Sequence, residues 1–186
     1  MIDFYGYRVY IIYSGIFIPW SNMPKNNARN TSNKECQKKA KVCLISSSGG
    51  HYQQLKMLKP LGQKYDIFVV TEKTKYKSDA DYYLLQSGLK DWLFPIKTLL
   101  NSFKTIYIIA KERPDFVVTT GTMVAIPMCL FLKMFKKKVI YIETFSRVTN
   151  CTRAGKFMYG KADLFIYQWE QLAKYYPDGV YGGSIY

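Results

Sequence analysis

The chain is short of acids, nearly without histidine, and contains no long uncharged apolar run. Thirteen Asp and Glu stand against twenty-seven Lys and Arg in 186 residues, and His51 is the single histidine. No His, Cys, Asp or Glu cluster has ligand spacing, so no metal centre is expected. The four cysteines make no CxxC pair. Cys43 and Cys129 fall in apolar segments, where a buried thiol is the common case, and a reducing compartment is expected. No stretch of about 18 uncharged apolar residues occurs, so a conventional transmembrane helix is not evident. Also missing are the Lys-Ser/Thr ending of a P-loop and the spacing of the dinucleotide fingerprint, so neither nucleotide hydrolysis nor hydride transfer is expected. The cations are mostly lysine, without an arginine-rich recognition helix, zinc-finger spacing or RNA-binding aromatic signature. Nucleic acid is therefore not an expected partner.

What remains is a formal net charge of +14 with 17% aromatic residues, a balance that suits an anionic membrane surface. Residues 1–40 read as a leader and basic linker. Met1–Trp20 is apolar and aromatic but interrupted by Asp3 and Arg8, which makes it a candidate monotopic anchor, and 21–40 is Asn-rich and polar. Two helical patterns carry a further membrane signal. Met123–Lys138 is apolar over much of its circumference and ends in Lys136, Lys137 and Lys138, and Leu93–Arg113 mixes bulky apolar residues with a basic tail. Cations at a helix C-terminus also suit an ordinary core helix. Peripheral attachment to the cytoplasmic face of the cell membrane is the expectation for the whole.

The domain is expected from residue 41 to 186. Five Val/Ile-rich runs alternate with helical stretches: KVCLIS, DIFVVTE, DFVVTTG, KVIYIET and DLFIYQW. That order predicts a single Rossmann-like, doubly wound α/β domain with a mostly parallel sheet, whose ligands bind at the carboxyl ends of the strands. The run SSSGGHYQQL follows the first strand and opens a helix, so Ser47, Ser48, Gly49, Gly50 and His51 make a candidate diphosphate cradle; Ser48 is also a candidate helix cap. After the third main strand, TTGT brings Thr120 and Thr122 to a helix start. After the fourth, ETFSR brings Glu143 and Arg147, either as site residues or as a structural ion pair. Gln168 and Glu170 follow the fifth, as candidate contacts with a partner. The terminal VYGGSIY, with Val180, Tyr181, Ile185 and Tyr186, is apolar enough to be a docking element for a partner or to pack on its own domain.

The motifs SSSGGHYQQL, KERPDFVVTTGT, KKVIYIETFSRV and GKFMYGKADLFIYQWEQLAKYYPDGVYGGSIY, in that order, resemble the PssD/EpsE type of polysaccharide-biosynthesis protein. These are bacterial relatives of the membrane-anchoring subunit of the dolichol-linked GlcNAc transferase, and the similarity spans Lys41–Tyr186. The resemblance implies the N-terminal, acceptor-binding half of a GT-B glycosyltransferase such as MurG. It further implies an inverting enzyme of two components that builds capsular or exopolysaccharide units on a lipid-diphosphate-linked sugar acceptor, with the UDP-sugar on a small donor-binding partner and no cofactor in this chain. Alone, the chain is expected to be inactive. His51 and Glu143 compete for the role of catalytic base, while Ser47 to Gly50, Thr120, Thr122 and Arg147 would hold the acceptor. A self-contained enzyme on a phosphorylated sugar, or a non-catalytic basic membrane or nucleic-acid binding protein, are the alternatives. Residues 1–40 match neither the short start of the bacterial proteins nor the clear membrane helix of the eukaryotic ones.

Overall fold

The computed structural model describes residues 39–75, 78–86 and 91–185. Within them a seven-stranded, wholly parallel sheet has the order β3-β2-β1-β4-β5-β6-β7. The strands are β1 (Lys41–Ile45), β2 (Asp66–Lys73), β3 (Tyr82–Leu85), β4 (Phe116–Thr119), β5 (Lys138–Ile142), β6 (Leu164–Tyr167) and β7 (Val180–Tyr181). The helices are α1 (Gly50–Lys56), α2 (Phe94–Glu112), α3 (Ile126–Met134) and α4 (Arg153–Met158). This is the Rossmann-like fold the sequence predicts.

Interior strands are apolar on both faces because helices flank the sheet. Every residue of β6, and all but the first residue of β1, β4 and β5, is buried. Met128, Cys129 and Leu132 of α3 join that core. Burial pushes the Cys129 thiol up to about 12 and the Cys43 thiol well above its usual value, so both sit as inert apolar groups.

Two edge strands were absent from the five-strand expectation. β3 lies between the second expected strand and α2, and β7 is the first part of the VYGGSIY segment. Val180 and Tyr181 pair in parallel with Ile166 and Tyr167, so that segment packs on its own domain. Beyond it, the Ile185 N–H donates to Gln168 Oε1 at 3.0 Å. Tyr186 and nearly all of the expected leader lie outside the described residues.

Two lysines of the cluster expected at the membrane are held by acids of the fold. Lys137 pairs with Asp115 at 2.8 Å and Lys138 with Asp163 at 3.2 Å, while Lys136 takes the left-handed φ of 56° that ends α3. The apolar face of α3 is core. α2 is the reverse: Asn101 and Thr105 are on its buried side, whereas Ile96, Leu99, Leu100, Phe103 and Tyr107 are exposed, with Trp92 just ahead of the helix 88% exposed. Asn101 faces inward because its amide closes the end of β3, accepting from the Leu85 N–H at 2.7 Å and donating to the Leu85 carbonyl at 2.9 Å.

Candidate functional site

β1 and β4 are neighbours although α1, β2, β3 and α2 separate them in sequence, so the sheet changes direction between them. Ligands of open α/β sheets bind at such a switch point, beyond the strands' carboxyl ends. The loops after β1 and β4 are tied to each other there. The Thr120 hydroxyl donates to the His51 carbonyl at 2.9 Å, and His51 Nδ1 lies 2.9 Å from the Thr120 carbonyl. A carbonyl only accepts, so Nδ1 carries the hydrogen and Nε2 is the basic nitrogen of the neutral ring. The Ser47 N–H donates to Thr122 Oγ1 at 3.2 Å, and Thr122 itself holds a φ of 94°. Gly49, not Ser48, caps α1, and no side chain bonds that end of the helix.

A second network closes the other wall. Glu143 is fully buried just past β5, and its carboxylate accepts from four groups. These are the Thr144 N–H at 2.9 Å, the Thr152 hydroxyl at 2.9 Å, the Thr152 N–H at 3.4 Å and the Tyr176 hydroxyl at 2.5 Å. Thr152 also caps α4, accepting from the Gly155 N–H at 2.8 Å. Position 155 must be glycine, since a Cβ there would lie 1.9 Å from Glu143 Oε2. Burial, then the bond to Glu143 and its charge, pushes the Tyr176 phenol well above its ordinary value and keeps it a donor.

Between the walls lies a cleft of about 630 Å³. Ser47, Ser48, His51, Thr122, Glu143 and Arg147 line it, as the sequence predicts, together with Glu72 at the end of β2, and it brings in Gln86, Tyr141, Thr152 and Arg153, which were not singled out for the site. Tyr141 was legible in principle: residues two apart on a strand share a face, so it stands beside Glu143. A second cavity of about 920 Å³ shares Ser48, Glu72 and Gln86 with the first and takes in Gly49.

Several expected roles change. Thr120 is fully buried and committed to His51, so it positions the imidazole instead of meeting a ligand. The Glu143–Arg147 ion pair, one of the two readings open from the sequence, does not form. Arg147 is exposed and donates to Asn150 Oδ1 at 3.1 Å, while Glu143 has its four donors elsewhere. Gln168 is corrected as a partner contact, because it is 2% exposed and both ends of its amide are used, Nε2 donating to the Glu143 carbonyl at 2.8 Å. Glu170 is exposed at the start of a short 3-10 turn.

Fold and cleft together define a Rossmann-like unit of the kind found in GT-B glycosyltransferases. Acinetobacter baumannii MurG superposes with a TM-score of 0.59 over 71% of this chain and 42% of its own, at 16% identity. A UDP-N-acetylglucosamine 2-epimerase does so with a TM-score of 0.60 over 76% of this chain and 45% of its own, also at 16% identity. The chain thus spans less than half of either structure, and at that identity the likeness is one of fold. The chain belongs to the family described as Oligosaccharide biosynthesis protein Alg14 like, whose family model matches residues 85–185. A human relative, UDP-N-acetylglucosamine transferase subunit ALG14, is 30% identical over 77% of this chain and 82% of its own length.

Proposed function

We propose that this chain is the membrane-associated, acceptor-binding subunit of a two-component inverting glycosyltransferase. It would present a lipid-diphosphate-linked sugar to a smaller partner that holds a UDP-sugar, in the assembly of capsular or exopolysaccharide units. The observation that carries this reading is the switch-point cleft with an oriented imidazole in an Alg14-like chain. The relatives are named as subunits of UDP-N-acetylglucosamine transferase, and the described residues form one Rossmann-like sheet, which supports a donor site on another chain.

In this mechanism His51 Nε2 takes the proton from the acceptor hydroxyl as it attacks the donor sugar, and the Thr120 carbonyl steadies the Nδ1–H as charge builds on the ring. Glu143 is a poor base by geometry, because four donors already occupy its lone pairs. The backbone from Ser47 to Gly50, with Thr122, Arg147 and Arg153 around the cleft, would hold the diphosphate. The departing nucleoside diphosphate is the partner's task. Attachment to the membrane would use the exposed apolar face of α2, whose aromatic and aliphatic side chains suit headgroup depth in a strongly cationic protein.

The test is transfer from a UDP-sugar to a lipid-diphosphate-linked acceptor by the purified chain, alone and with its partner. Activity should require both chains, and His51→Ala in the pair should lower turnover about 100-fold or more with the thermal transition preserved. Equal activity without the partner refutes the two-component reading, and a fully active His51→Ala pair refutes the base.

A further inference from the structure

Tyr141 is 1% exposed, its ring stacked on Phe165 with centroids 5.0 Å apart and planes 13° from parallel. Tyr141 is among the residues lining the cleft, and its buried hydroxyl makes no hydrogen bond of normal geometry among the described residues. Native proteins seldom leave a buried hydroxyl unpaired, and such a group calls for an explanation. Of the nearby acceptors, the Glu143 carboxylate takes its four donors from Thr144, Thr152 and Tyr176, and Thr152 Oγ1 already accepts from the Gly155 N–H at 2.8 Å.

Space beside the phenol is kept by the loop after β4. Gly121 holds a φ of 96°, and a Cβ there would stand 3.1 Å from the Tyr141 oxygen and 3.7 Å from His51 Cε1. Phenol and imidazole therefore border one gap. The loop that shapes it is fixed by the Thr120 and His51 bonds and by the Gly121 N–H donating to Thr119 Oγ1 at 3.2 Å. Burial, and after it the charge of Glu143, outweigh the opposing influence of the neighbouring Thr152 hydroxyl and push the Tyr141 phenol well above its ordinary value, so the group is a donor at any working pH.

We propose that the Tyr141 hydroxyl is a recognition donor on the cleft floor, giving its hydrogen to an oxygen of the sugar diphosphate bound there. The inference rests on the acceptor reading above and adds a residue to it. It also makes a signed statement about the unliganded protein: the hydroxyl is an unpaired polar group until ligand arrives, so removing it should leave the free protein as stable or more so.

Tyr141→Phe deletes one oxygen and keeps the ring stack. In the full chain, calorimetric titration with a short-chain prenyl diphosphate carrying N-acetylglucosamine should give a Kd raised about 10-fold or more, while the thermal transition without ligand stays equal or rises. Inorganic pyrophosphate as a second probe locates the contact. Weakening with both probes places the oxygen on the diphosphate, and weakening with the sugar-bearing probe alone places it on the sugar. An unchanged Kd for both probes overturns the assignment and leaves the acceptor reading standing. A lowered thermal transition also overturns it, since the hydroxyl would then serve the fold. Failure of the unsubstituted chain to bind the sugar-bearing probe refutes the acceptor reading and this inference with it.

Discussion

Replacing Glu143 with Gln separates a carboxylate that holds the fold from one that takes a proton. The substitution keeps shape and volume but turns one acceptor oxygen into a donor and removes the charge. The least disruptive orientation leaves the carbonyl on the side of Tyr176, whose hydroxyl sits 2.5 Å from Oε2. The amide nitrogen then takes the place of Oε1 and faces the Thr144 N–H, which donates there at 2.9 Å. Thr152 can turn its hydroxyl to accept, but the Thr144 donor is stranded in a fully buried setting. A stranded buried donor costs about 1–3 kcal/mol, and the bonds that survive lose their charge-assisted share, so the loss should total about 2–4 kcal/mol. For a folded unit of this size that is a fall in Tm of about 4–16 °C. The assay is a thermal melt of the variant together with transfer by the reconstituted pair at a temperature where the variant is still folded. A structural carboxylate predicts a lowered Tm with transfer retained to within about tenfold, short of the loss expected on removing a general base. An unchanged Tm with transfer abolished would refute the reasoning and make Glu143 the base.

Two further expectations concern surfaces. Changing Ile96, Leu99 and Phe103 together to Ser should weaken flotation with anionic vesicles about 100-fold, because three side chains each lose about 1 kcal/mol or more of apolar burial. Lys137→Ala should leave flotation unchanged, its ion pair with Asp115 being worth about 0–1 kcal/mol to the fold; the opposite pattern would return the membrane contact to the lysine cluster, and capture of a protein on α2 without vesicle binding would make that face a subunit interface. Truncation after Asp178 removes β7 and, just past it, the Gly182 N–H that donates to the Tyr167 carbonyl at 2.9 Å, and takes away the Ile185 N–H from Gln168. Tm should therefore fall, and a truncated chain that melts normally yet no longer captures the partner would show that the segment serves docking instead of the sheet.

How much was legible in the sequence followed from what each residue's neighbours are. Interior strands are buried on both faces, so their Val/Ile runs were plain, and the rule that ligands gather at strand ends brought His51, Thr122 and Glu143 to one cleft. β3 and β7 were not legible, because edge strands of four and two residues with one partner each carry little pattern. Side-chain pairings were not legible where the partner is remote in sequence. One of the donors that occupy Glu143 is Tyr176, and the acids that hold Lys137 and Lys138 are Asp115 and Asp163, none of which local spacing can pair. α2 misleads for another reason: its apolar residues look like a core face until the Asn101 bond to β3 fixes which side turns inward.

The separation between the cleft and the proposed membrane face is itself constrained by the chain. Gln86 lines the cleft, and Trp92, the most exposed aromatic beside the α2 stripe, follows six positions later. Six residues at full extension span at most about 22 Å, so no fold of the intervening chain can carry the two further apart. A lipid-diphosphate acceptor imposes the same kind of limit from the other side. Its hydrocarbon stays in the bilayer while the diphosphate and sugar must enter the cleft, and only the headgroup can bridge the difference. A protein that bound its membrane through a distant surface would have to pull the lipid out of the bilayer at about 0.8 kcal/mol for every methylene exposed. If the apolar face is tethered near the rim as proposed, the headgroup would reach His51 while the tail stays in lipid, and binding energy would be left for orienting the acceptor hydroxyl toward the imidazole.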